Sequence, residues 1–347
     1  MNQRRVYRWL KASSKRWTGM TRHFKQNVVH FSAGVARANS SQVRKIAGMS
    51  GGRADSQRRR LQRFVANQQP MEAFFVSWTK SGLERIAGSR IVLAVDETKI
   101  ENRLAVMVVG VMFQGRCIPL AWRVYEANSA EGYPAEGQAA MIAGLLALVQ
   151  RGVARGKRVC VLADRGIGTS PTLMREIIRM NWTFLFRVTR QSKIILPDGR
   201  EVTFYDQVRQ PGEQYAASGS VFKKRGRVPA HVRVFWGMEA KECWALVTND
   251  PVLTGPEYAQ RMWIEESFRD LKTHGWQLED VQWMDPQRMA RLLILLVVAY
   301  AWMLFVGAVR EALGLTAGRR HSKGTIVRHW SLFREGRRAF LTDAPLL

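Results

Sequence analysis

The side chains with the most chemical potential lie in the segment YAQRMWIEESFRDLK, where Arg261, Glu265 and Lys272 follow Tyr258 at offsets of 3, 7 and 14 residues. At about 3.6 residues per turn these offsets put all four side chains on one stripe of a helix. That helix is expected to run from about Gly255 to Thr273. One carboxylate held between cations makes a poor core face. It suits a surface that meets a metal ion and phosphates together, and Arg269 adds another cation to the segment.

Two further acids follow apolar runs. Asp96 comes after IVLAV and Asp164 after VCVLA, so each is read as the end of a strand, at the sheet edge where ligands bind in α/β folds. An Asp at a strand end is also a common turn former. Glu97, Glu266 and Asp270 are neighbouring acids that compete for the same roles. If the two strands are adjacent, the carboxylates lie side by side and repel, so that one protonates unless a cation intervenes. Hard carboxylate oxygens suit Mg²⁺, with Mn²⁺ as a substitute. Glu265 then supplies the third ligand. A pair of ions roughly 3.5–4 Å apart would activate an attacking oxygen and stabilise a leaving one in an in-line displacement at phosphorus.

The elements that must position these groups show in the periodicity. Residues 1–85 space apolar residues by three or four with arginines between, which predicts a helical region. Two short helical patterns there are separated by Gly51-Gly52, compatible with a helix-turn-helix, and Ser56 is placed to cap the second. From Arg90, the runs IVLAVDETKI, RLAVMVVGVMF and RCIPLAWRVY predict three consecutive antiparallel strands. Helix, strand, helix and strand follow, an order expected of a mixed α/β, ribonuclease-H-like domain over 86–310. Residues 191–252 alternate in period two and read as a β-rich insertion, and 311–347 reads as a basic C-terminal tail. Leu292 to Val309 is 18 residues without a charge, long enough for a membrane helix. It is read instead as a buried central helix, with Met289, Leu293, Leu296, Tyr300 and Met303 in the core and no membrane partner.

Composition narrows the partner. The 347 residues carry a net charge of +26, and residues 1–85 hold 18 Lys/Arg against 3 Asp/Glu, which points to a polyanion. Arg58, Arg59 and Arg60 are candidate DNA contacts, with a solvated basic face as the plainer reading. Three cysteines without metal-ligand spacing predict buried thiols in a reducing compartment. The N-terminus lacks the apolar stretch of a signal peptide, so a cytoplasmic, nucleoid-associated location is expected.

The ordered set Asp96, Asp164, Glu265 with Tyr-x2-Arg-x3-Glu-x6-Lys resembles the DDE transposases of the insertion-sequence-four type, and Trp263, Ile264 and Glu266 fit as well. The resemblance implies metal-dependent cleavage at transposon ends and 3′-hydroxyl strand transfer into target DNA, in some members through a DNA hairpin. It implies Asp96, Asp164 and Glu265 as metal ligands, with Tyr258, Arg261 and Lys272 holding phosphates. It implies double-stranded DNA as partner, as terminal inverted repeats and target, and a homodimer in the synaptic complex. By the same resemblance Trp244, in ECWALVTNDPV, stands where hairpin-forming relatives stack a flipped base. A core aromatic is the other reading of it. A ribonuclease-H-like metal nuclease that never joins DNA, and a non-catalytic DNA-binding protein from a decayed element, remain as alternatives.

Overall fold

The structure is a computed structural model, and it describes residues 3–84, 86, 88–189, 191–316, 318–320 and 326–342. Five helices come first: α1 (Gln3–Ser14), α2 (Arg22–Ala38), α3 (Val43–Gly48), α4 (Ala54–Val65) and α5 (Glu72–Leu83). The turn between α3 and α4 has Gly51 and Gly52 at φ of 80° each, a left-handed backbone that glycine adopts without steric cost. Ser56 was expected to cap α4. The cap position is Arg53, with no side-chain bond, and Ser56 lies inside the first turn.

A meander of β1 (Arg90–Ile100), β2 (Leu104–Phe113) and β3 (Arg116–Glu126) follows. Helix α6 (Gly137–Gln150), β4 (Arg158–Ala163), α7 (Pro171–Arg179) and β5 (Thr183–Arg187) complete the sequence of elements expected from periodicity. Strand β1 is antiparallel to β2 and parallel to β4, and β4 is parallel to β5. Residues 193–248 add β6 (Lys193–Ile195), β7 (Glu201–Thr203), β8 (Gln214–Val221), β9 (Val228–Phe235) and β10 (Trp244–Thr248). These continue the same sheet, because β10 pairs antiparallel with β5. The result is one mixed sheet of ten strands in the order β3-β2-β1-β4-β5-β10-β9-β8-β6-β7.

The expected single helix over Gly255–Thr273 is divided. A 3₁₀ segment, Pro256–Arg261, leads into α8 (Met262–Leu271). Pro256 opens the 3₁₀ turn, and the chain leaves helical geometry at Lys272, with φ −89° and ψ −114°. A 3₁₀ turn advances fewer residues per turn, so the four signature side chains do not share the ideal stripe.

Helix α9 (Pro286–Ala312) is capped by Asp285, whose side chain accepts from the amides of Gln287 and Arg288. A helix apolar on all sides must be surrounded. α9 is long and apolar enough to cross a membrane, yet 83% of its apolar window is buried inside this structure. All five of its expected core residues are buried. Within the expected tail, α10 (Leu332–Leu341) docks on α9, and a buried Arg310–Glu335 pair at 3.0 Å joins them. Residues 317, 321–325 and 343–347 of that tail lie outside the described residues.

The α9–α10 crossing depends on two glycines. A β-carbon on Gly336 would sit 1.9 Å from the Met303 carbonyl oxygen, and one on Gly307 would sit 2.1 Å from that of Leu332. Backbone cannot yield as a side-chain tip can. Gly336→Ala is therefore expected to cost about 3 kcal/mol, the upper part of the range for overpacking, read as a lower urea midpoint. A midpoint equal to the parent's would show that the helices separate freely.

Candidate active site

Register brings the first two acids together. The parallel ladder between β1 and β4 runs from Arg90 opposite Arg158 to Val95 opposite Ala163. The next residue on each strand is Asp96 and Asp164. Asp164 does end its strand. Asp96 does not, since β1 continues to Ile100 along β2; only the parallel pairing stops there. Glu265, in the first turn of α8, approaches from the element laid across these strands.

All three carboxylates meet one cation. Arg261 Nη2 lies 2.9 Å from Asp96 Oδ2 and 3.6 Å from Asp164 Oδ2, and its Nη1 donates to Glu265 Oε1. The Arg261 side chain is 11% exposed, and its Nε is buried without an acceptor. The two aspartates each have a second restraint on their geometry. Asp96 Oδ1 accepts from the Glu97 amide at 2.9 Å. Asp164 Oδ1 accepts from the amides of Gly166 and Ile167 at 3.0 and 3.2 Å, so the turn-former role and the site role coexist in one residue. Burial pushes the Asp96 carboxyl up to about 6; Arg261 opposes this, and the charges of Asp164 and Glu265 add to it.

Gly168 sets the position of Asp164. A β-carbon there would lie 2.2 Å from the Arg187 carbonyl oxygen and 2.8 Å from that of Asp164. The loop after β4 thus turns against β5 with no room for a side chain.

The other expected site residues are distributed unevenly. Tyr258 is buried, its ring centroid 5.2 Å from that of Trp244 in an edge-on contact, and burial raises its phenol's pKa. Trp244 opens β10, half-buried, 5.6 Å from Phe235 and with the Arg187 guanidinium 6.0 Å over its ring. Lys272 donates to the Lys99 carbonyl at the far part of β1 and lies 3.9 Å from Glu279. Arg269 is exposed and paired with Glu266 at 2.6 Å, away from the three acids. Arg58 and Arg59 are exposed on α4, with Arg58 3.5 Å from Asp55. Arg60 turns inward: its Nε donates to Asn27 Oδ1 at 2.7 Å and its guanidinium lies 5.5 Å over Phe31.

Two residues escaped the sequence reading. Arg187 ends β5 beside Trp244 and pairs with Glu242 at 2.5 Å. Its position after the apolar run WTFLF was the same strand-end signal that marked Asp96 and Asp164. Gly168 gave only a common turn signal.

Among the described residues no group of three or more His, Cys, Asp or Glu side chains is spaced to hold a metal ion. The donor set nevertheless fits a hard divalent cation: three carboxylates face one positive charge, and the guanidinium supplying it leaves its own Nε unsatisfied. A small cation could replace Arg261 without stranding an acceptor.

Residues 135–302 match the family model of the transposase DDE domain. The matched region contains Asp164 and Glu265 and begins after Asp96. No curated protein matches the chain. The domain match supports a DDE transposase, an enzyme acting on DNA in transposition and recombination. Such domains generally use divalent metals such as Mg²⁺.

Proposed function

We propose that the chain is a cut-and-paste transposase of the insertion-sequence-four type, with a ribonuclease-H-like catalytic domain over 86–310 and a DNA-binding region over 1–85. One observation carries this reading: Asp96, Asp164 and Glu265, from two strands and a later helix, converge on Arg261. Nothing in packing requires three acids to meet there. Exposed ion pairs contribute little to stability, so packing gives no reason for this one to be part-buried among three acids.

Asp96, Asp164 and Glu265 would hold the metal. When bound, Mg²⁺ supplies Lewis-acid stabilisation of charge on the phosphoryl oxygens. The chain's own groups do the rest. Arg261, relieved of its acids, has its donors available for a non-bridging phosphate oxygen, a charge-assisted bond. Lys272, fixed to the end of β1, and Arg187 at the end of β5 flank the acids and fix the DNA strand's register through its phosphates. Trp244 and Tyr258 form an aromatic wall on the β10 side, and a base stacked on Trp244 would gain roughly 1–3 kcal/mol. That wall suits a hairpin step at the transposon end. Arg58 and Arg59 add phosphate contacts on α4, and a homodimer would pair the two ends.

The deciding experiment incubates the protein with end-labelled duplex carrying the element's own ends, with Mg²⁺ or with EDTA. Cleaved ends and joined products, both dependent on Mg²⁺, are expected. Cleavage without any joined product would replace this reading with a metal nuclease. DNA binding with neither product would leave a DNA-binding protein.

A further inference from the structure

Strand β3 is the last of the ten, so its outer row of backbone groups has no strand partner. That edge borders an open cavity of about 740 Å³, lined also by the loop 67–71 and by the first turns of α9. Register places one residue of its lining, Trp122, relative to the acids. Asp96 is opposite Val108, and Val108 is opposite Trp122, so the three side chains share one face of the sheet. At the usual strand spacing Trp122 stands roughly 10 Å from Asp96.

The lining is polar in a particular way. Asn67, Gln68, Gln69 and Gln287 each present an amide that both donates and accepts. Beneath them lies Arg291, 3% exposed on an otherwise apolar stretch of α9. It donates to the Gln69 carbonyl, and among the described residues it has no carboxylate in ion-pair distance. An arginine does not shed its proton, so a buried guanidinium without a counter-ion invites an anion from outside. The other charges around the cavity are Arg123, 4.0 Å from Glu136; Glu126; and Asp285, occupied by the α9 cap and by Arg288 at 3.4 Å. The volume falls in the range of small-molecule sites, and amides beside an aromatic and a cation match a base with its phosphate. A duplex is too wide to enter.

We propose that this cavity seats an unpaired nucleotide, its phosphate countering Arg291 and its base edge meeting the amides of Gln68 and Gln287. The inference rests on the DNA-processing reading above and places a second strand contact about two strands away from the acids. The plainer role, a clamp from Arg291 to the 67–71 loop, requires no ligand and predicts no effect of the amides.

Fluorescence anisotropy of the full chain tests it, with a labelled 12-nucleotide single strand and a blunt duplex, both without Mg²⁺. Gln68 and Gln287 are exposed at the rim, so the Gln68→Ala/Gln287→Ala double variant should fold. It is expected to lose about tenfold in affinity for the single strand while duplex affinity stays within about twofold. Arg291→Gln keeps an amide for the Gln69 carbonyl and should show the same selective loss, with melting as a check on folding. Equal losses on both DNAs, or none on either, overturn the cavity as a nucleotide site. Competition separates the sources: with selective loss established, displacement of the strand by dAMP assigns a free nucleotide, and its failure assigns a nucleotide within a strand. A wild-type protein that binds neither DNA sinks the underlying reading instead.

Discussion

Asp96→Asn is expected to abolish Mg²⁺-dependent cleavage, by at least about 10³-fold, while the metal-free protein becomes more stable. The two effects share one cause. Asp96 is 12% exposed, and its carboxyl is pushed from 3.8 to about 6 by burial and by the neighbouring acids, against Arg261. Because the folded state holds that proton more tightly than the unfolded chain, folding is favoured below the unfolded value and the benefit fades as pH rises through about 6. Near pH 7 the charged form costs on the order of 2–3 kcal/mol, at about 1.36 kcal/mol per pKa unit. An amide of the same shape removes that cost and keeps the bond from Arg261; it gives up the bond from the Glu97 amide, because its nitrogen donates and cannot accept, and this offsets part of the gain. The stability gain in EDTA should therefore be present at pH 7.5 and absent at pH 3.5. Glu265→Gln and Asp164→Asn should lose cleavage to the same extent, since each removes a hard anionic ligand. DNA binding measured without metal should be unchanged in all three. Cleavage within tenfold of the parent by any one would remove that residue from the site. A lower melting temperature for Asp96→Asn at pH 7.5 would show that the acid stabilises the fold rather than burdening it.

The two aspartates were legible because the signal was local. A run of β-branched and small apolar residues followed by Asp predicts a strand and its end, which holds for Asp164, whereas β1 continues past Asp96 to Ile100. That the two strands are neighbours was open in the sequence, since β2, β3 and α6 lie between them; the parallel ladder from Arg90 to Val95 is what carries Asp96 beside Asp164. Arg261 was legible as a participant and not as the centre. Its expected phosphate-facing role assumed an ideal helix, whereas the 3₁₀ turn from Pro256 rotates it inward onto Asp96. The same departure buries Tyr258 against Trp244 and leaves Lys272 beyond the helix end, bonded to β1. Arg60 and Arg59 are adjacent in a basic run, yet one is tied to Asn27 and the other is exposed; only tertiary packing against α2 separates them. The continuation of the sheet through β10 was likewise invisible, because period-two alternation states that strands exist and not which partner they choose.

Arg261→Ala is expected to be the most disruptive single substitution for the metal-free protein. It leaves Asp96, Asp164 and Glu265 facing one another with no cation between them, and removing one member of a buried pair typically costs 3–5 kcal/mol. Some of that cost is relieved as the acids take up protons, so a drop of about 3 kcal/mol at pH 7.5, shrinking as the pH is lowered, is the expected reading from urea unfolding in EDTA. The complementary measurement uses Mg²⁺. In the parent, a divalent cation must displace a guanidinium already held by the three acids; in the variant the acids are free. Mg²⁺ should therefore stabilise the variant more than the parent, and bind it more tightly by calorimetry, although the variant does not cleave. This outcome separates two roles for one side chain: counter-ion for the acids in the absence of metal, and phosphate ligand once metal is present. Equal Mg²⁺ affinity in parent and variant would mean that arginine and metal do not compete, and that the three acids are an ion-pair network around Arg261. A variant as stable as the parent in EDTA would mean that the acids separate easily, and the convergence on which the catalytic assignment rests would lose its force.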